Sequence, residues 1–95
     1  MVVMTIENAP PKLRGRLRRW FVELHAGVYV GKVSPRIRDL LWSEATTKFD
    51  QGKVSQAWSD KSEQGFSFRI HGDKSRQMVD FDGMYLVLLR IGPEV

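Results

Sequence analysis

The chain has 95 residues, 42% of them apolar, no cysteine, and a net charge of +4 with a pI near 9.8. That length bounds the chain to one domain with a modest core, which favours an oligomer. The absence of thiols excludes disulfides, thiolate zinc centres and cysteine nucleophiles, and the cation excess favours a polyanionic partner, nucleic acid first.

Val2-Val3-Met4-Thr5-Ile6 is β-branched and mostly apolar, so it reads as a buried strand. The apolar run at residues 1–6 is too short for a secretory leader and meets Glu7 directly. No segment reaches the length of a membrane span, so the expectation is a cytoplasmic protein with no membrane contact.

Residues 8–11 break the strand, and the Pro10-Pro11 pair suits the start of a helix because its φ is already helical. Leu13, Leu17, Trp20, Phe21 and Leu24 then recur at helical spacing. They span an arc of about 100°. Lys12, Arg16 and Arg19 flank that arc on one side, Arg14 and Arg18 on the other, and Gly15 lies on the outer face. The glycine weakens a helix but lets a backbone or phosphate come close. The cations crowd the half of the helix where its dipole disfavours them, and Glu23 is their one countercharge within the predicted helix. Phosphate binding accounts for this pattern better than a merely solvated face does.

Residues 27–33 form a short strand bracketed by glycines, a single strand between two helices. Ser34-Pro35 supplies an N-cap and a first-turn proline for the second helix. Its apolar face is Ile37, Leu40, Leu41 and Ala45, extended by Trp42 and Phe49, and Asp50-Gln51-Gly52 ends it. Residues 53–59 and 65–70 read as a hairpin across a polar turn at 60–64, with Phe66, Phe68 and Ile70 facing in and Ser67 and Arg69 facing out. A basic loop follows at 72–77, then a short polar-interrupted segment at 79–83 and a last strand at 84–91, stopped by Gly92-Pro93. The order is β-α-β-α-β-β plus a C-terminal strand: an α+β fold with two helices on one face of a mainly antiparallel sheet.

Glu7 stands where a strand gives way to a helix, a common place for metal or substrate chemistry. Its plainer role is a loop carboxylate paired with Lys12 or Arg14. A magnesium ion there would need phosphates or a second copy of the site to complete its ligands. Asp80 and Asp82 are two acids at i and i+2, although Asp82-Gly83 reads more simply as a turn. His25 and His71 have no ligand-like spacing and read as surface or loop residues. Gly65-Phe66-Ser67-Phe68 partly matches the base-stacking motif of RNA-recognition domains. It follows both helices, however, and its phenylalanines share a face with Ile70, so core packing is the expectation.

The stretches Glu7 to Leu17, Ala26 to Ser34, Ile37-Arg38 and Trp42, with Ala57-Trp58, Gly65 to Phe68 and Val79 to Gly83, together resemble CRISPR-associated protein 2 of the type I-E systems. The resemblance covers nearly the whole chain in the same order and at similar spacing. It implies a homodimer of ferredoxin-like subunits, here a trimmed variant, with residues 1–83 as the ferredoxin-like part and 84–95 as a strand and tail docking on the integrase, CRISPR-associated protein 1. Such a dimer bridges two integrase dimers and holds the backbone of double-stranded protospacer DNA, without sequence preference, for spacer integration. The nucleic-acid-binding positions it implies are Lys12, Arg14 and Arg16 at the first helix, Arg36, and Lys74 and Arg76 before the last motif. Ser75 stands where the family has a basic residue, with Lys74 beside it to compensate. The alternative it implies is a magnesium-dependent endonuclease, on RNA or DNA, in which Glu7 pairs with its dimer mate as catalytic and metal-binding acid. Nuclease-type members mostly carry Asp at that position.

Overall fold

The computed structural model describes residues 1–49 and 52–89. The readings that fall on residues 50–51 and 90–95, including the stop at Gly92-Pro93, lie outside them.

β1 (Val2–Ile6) buries alternate residues: Val2, Met4 and Ile6 lie inside, and Val3 and Thr5 face the other way, as a strand's period of two requires. Helix α1 (Pro11–Trp20) begins after Pro10 with no side-chain cap, and Pro11 occupies the first turn. Its Leu13 and Leu17 are fully buried. β2 (Val22–His25) and β3 (Val28–Gly31) form a hairpin, α2 (Pro35–Ser43) follows, and the chain then makes a five-residue π-helical turn, Glu44–Lys48. β4 (Val54–Ser59) and β5 (Phe66–His71) pair antiparallel, and β6 (Arg76–Phe81) and β7 (Met84–Leu89) make a separate two-stranded sheet.

The main sheet has the order β2-β3-β1-β4-β5, antiparallel throughout. Its first four strands carry the β-α-β-β-α-β order of a ferredoxin-like fold, with β5 added at one edge. The core is Val2, Met4, Ile6, Leu13, Leu17, Phe21, Tyr29, Leu41, Ala45 and Val54, drawn from both helices and one face of the sheet.

Three readings from the sequence need correction. The strand between the helices is paired, and α1 ends at Trp20 rather than running through Leu24. Phe21 turns to φ −126°, ψ 161° while its N–H still caps the Leu17 carbonyl at 2.8 Å. Phe21 stays in the core, but Val22 pairs with Val30 and Leu24 is left 68% exposed. Tertiary pairing with β3 outweighs a helical period that was real but local.

The third correction concerns β5. Gln56 pairs with Arg69 and Trp58 with Ser67, on the helix side of the sheet, while Ala57 pairs with Phe68 and Ser55 with Ile70 on the open side. Phe66, Phe68 and Ile70 therefore share a face as expected, but it is the face without helices. Arg69 points the other way. Its guanidinium lies 4.7 Å from the Trp42 ring and 4.9 Å from the Trp58 ring, and donates to the Gln56 carbonyl oxygen at 2.9 and 2.6 Å. A long cation with aromatic walls and an amide acceptor can occupy a position that alternation alone assigns to solvent.

Ser34 caps α2 as its sequence demands, accepting from the Ile37 N–H at 3.3 Å. Thr46 and Thr47 donate back to the Trp42 and Ser43 carbonyls, which loosens the helix. The Phe49 N–H reaches the Glu44 carbonyl at 2.9 Å, the wider π-type bond. The β6–β7 turn is Asp82-Gly83, both at positive φ (53° and 82°), the mirror-image turn that two-residue hairpins favour.

Candidate nucleic-acid interface

The solvent side of α1 carries five cations and no acid. The surrounding structure divides them. Arg16 meets Glu44 through two contacts, Nε–Oε1 at 2.6 Å and Nη2–Oε2 at 2.8 Å. The π-helical turn is the element that presents Glu44 to α1. Arg18 is held by Glu23 of β2, with Nη2 at 2.7 Å and Nε at 3.0 Å from Oε1. Among the described residues, Lys12, Arg14 and Arg19 have no ion-pair partner, and all three are exposed.

Glu23 is itself anchored. The Arg18 guanidinium and then the Gly27 N–H hold its carboxyl below the ordinary range. Tyr29, fully buried beside it, has its hydroxyl pushed up by burial and by the Glu23 charge. The Arg18–Glu23 pair therefore closes one flank of α1 against the β2–β3 hairpin.

Glu7 is exposed just past β1. Its N–H donates to the Lys53 carbonyl at 2.9 Å, and the next residue, Asn8, takes a left-handed φ of 61°, which asparagine tolerates better than most residues. Gly52 packs so closely that a Cβ there would lie 2.1 Å from the Glu7 carbonyl oxygen. A glycine at that point is what lets the β1 exit pass the start of β4. Glu7 lines two neighbouring clefts. One, of about 440 Å³, also contains Lys53, Asp73 and Arg76; the other, of about 360 Å³, also contains Asn8, Arg14, Glu23 and Tyr29. Glu7 thus shares one cleft with Arg76, distant in sequence, and the other with Arg14 at the start of α1.

Asp73 organises the connection between β5 and β6. The Ser75 hydroxyl, the Arg76 guanidinium and the Ser75 N–H hold its carboxyl down to about 2. Arg76 Nη1 donates to it at 2.9 Å. Ser75, the position without a basic residue, donates at 2.5 Å through its hydroxyl and 2.9 Å through its N–H. Lys74 is exposed between them without an ion-pair partner among the described residues, as is Arg36 in the first turn of α2.

Asp80 and Asp82 are taken up by the hairpin: Asp80 Oδ1 accepts from the Gly83 N–H at 3.0 Å, and Asp82 is a turn residue. Among the described residues no three His, Asp or Glu side chains are grouped to hold a metal. A magnesium ion at Glu7 would take its remaining ligands from a second copy of Glu7 or from phosphates. His25 is exposed, while His71 meets the Trp42 ring edge-on at 6.4 Å. Phe66 and Phe68, tilted by 31° at 6.1 Å, lie on the open sheet face.

Three features were missed from the sequence. Gln56 is 1% exposed, donates to the Arg38 carbonyl at 3.0 Å, and is the only buried polar side chain among the described residues. Arg38 stacks on Trp58 at 4.1 Å, so the Ile37-Arg38 and Trp58 positions serve to lock α2 onto the sheet. Gln64 clamps the backbone of Tyr85 at both N–H and carbonyl, each 2.9 Å, and ties the β6–β7 hairpin to the body.

No helix among the described residues is long and apolar enough to cross a membrane. The family model described as CRISPR-associated protein (Cas_Cas2CT1978) matches residues 1–86.

Proposed function

This chain belongs to the CRISPR-associated Cas2 family, and we propose that it serves spacer acquisition as the type I-E bridging subunit, a homodimer between two dimers of CRISPR-associated protein 1 that holds the backbone of a protospacer duplex. The observation that carries this reading is the solvent face of α1, where Lys12, Arg14 and Arg19 have neither an acid on the helix nor an ion pair elsewhere among the described residues. Unpaired cations on one rigid helix repel each other unless an anion compensates them, and a phosphate backbone supplies it. Arg36 and Lys74 extend the same chemistry. Contacts of this class position DNA without reading its sequence, which suits a protein that must accept any duplex.

The helix-free face of the sheet supports self-association. Val3, Val28, Val30, Ala57, Phe68 and Ile70 form an apolar surface there, and a second copy would bury it. The β6–β7 hairpin supports an integrase contact: Met84 to Leu89 are each 42 to 59% exposed, and an isolated two-stranded sheet needs cover to be stable.

The test is duplex binding as a function of salt. Log affinity should fall steeply and linearly with log salt, almost equally for unrelated sequences. Lys12→Ala and Arg14→Ala should each flatten the slope by about one. A strong preference for one sequence, or a flat salt response, would overturn the reading. The second reading, a magnesium-dependent endonuclease, draws on the exposure of Glu7 between its two clefts. It requires metal-dependent cleavage that disappears in Glu7→Ala.

A further inference from the structure

Gly15 sits in the middle of α1 and has no internal reason to be there. Its backbone is right-handed helical, so no left-handed conformation calls for glycine. A Cβ built on it would meet nothing within 4 Å, so no neighbouring element needs the space. Against alanine, a glycine in a helix interior costs about 1 kcal/mol. The chain accepts that cost with no return inside the described structure.

What surrounds the gap is charge. Lys12 (i−3) and Arg19 (i+4) lie within about 60° of Gly15 around the helix axis on one side, and Arg18 (i+3) lies about 60° away on the other. Side chains three and four apart on a helix are neighbours at about 5–6 Å between Cβ atoms. Arg18 is held by Glu23, but Lys12 and Arg19 have no ion-pair partner among the described residues, nor has Arg14 next to the glycine. The missing side chain is thus a notch in the helix surface with cations on both rims. An apolar partner helix packed into it would bury those charges without compensation. An oxyanion would meet them.

We propose that the notch at Gly15 seats one phosphodiester phosphate of a bound duplex, with Lys12 and Arg19 as its charged rim and the helix backbone at its floor. This rests on the duplex-binding reading above and deepens it: the α1 surface is a shaped seat rather than a diffuse basic patch. Arg19, absent from the positions implied by resemblance, becomes a binding residue. Gly15 is a positioning residue, because it sets how closely the backbone approaches.

The test compares wild type, Gly15→Ala and Arg19→Gln by anisotropy of a labelled duplex across a salt series, with thermal melts alongside. Gly15→Ala should raise the melting temperature, because alanine favours the helix. It should nevertheless weaken duplex binding by about two- to fivefold, the loss of a close Cα–H···O contact. Its salt slope should stay unchanged, because no charge is removed. Arg19→Gln should weaken binding and flatten the slope by about one. Wild type failing to bind duplex would sink the duplex reading itself. Wild type binding while Gly15→Ala binds equally well would overturn the seat alone.

Discussion

Arg69→Met is the perturbation that best probes how α2 is held to the sheet. Arg69 is the donor that satisfies the Gln56 carbonyl oxygen, at 2.9 and 2.6 Å, in a side chain only 1% exposed. Removing it strands that oxygen, at a cost of about 1–3 kcal/mol. Two ring contacts, at 4.7 and 4.9 Å, add about 0.5–1 kcal/mol each as cation–π interactions, part of which a methionine sulfur against the same rings restores. The bond to Asp39 at 2.8 Å is discounted, because that carboxylate is 55% exposed. The expected loss is about 2–3 kcal/mol, or roughly 10–20 °C in melting temperature for a domain of this size. Arg69→Met combined with Gln56→Met leaves no stranded amide oxygen, although it also gives up the Gln56 bond to the Arg38 carbonyl, and should be more stable than Arg69→Met alone, since the asymmetry lies in leaving one polar group unpaired. The assay is urea unfolding of the four proteins of this double-mutant cycle at one fixed protein concentration, because any self-association makes stability concentration-dependent. A single mutant within about 0.5 kcal/mol of wild type, or a double mutant no better than the single, would refute the reasoning.

Ser34→Ala removes the cap on the Ile37 N–H and should cost about 1 kcal/mol, measured by the same unfolding assay. Asp73 has its folded carboxyl at about 2, below the ordinary 3.8. Its contribution to stability is therefore fully present above about pH 4 and lost as the pH falls toward 2. Asp73→Asn should reduce stability at pH 7 and converge with wild type at the acid end of that window, and a difference that persists unchanged through it would contradict the assignment. Under the proposed bridging role, Glu7→Ala should leave spacer integration unchanged in a complex reconstituted with CRISPR-associated protein 1. Lost integration with assembly intact would instead put a working metal site at Glu7.

Local chemistry in the sequence was enough for β1, for both helix starts and for the β4–β5 hairpin. Prolines preset φ, Ser34 carries its own acceptor, and alternation in Val2–Ile6 marks a half-buried strand whatever lies around it. The basic character of α1 was legible for the same reason, since charge is a property of composition and helical spacing. Tertiary structure alone decided where α1 stops, because Phe21 obeys the helical period and leaves the helix only to let Val22 pair with Val30. It also decided which way Arg69 points, because the amide and the two rings that receive it come from β4 and α2. And it divided the cations: Arg16 and Arg18 look no different from Arg14 and Arg19 along the chain, yet Glu44 and Glu23, 28 and 5 residues away, take the first two and leave the others free. A sequence specifies how many charges a helix carries, but which of them remain available to a partner depends on what the rest of the fold brings within about 4 Å.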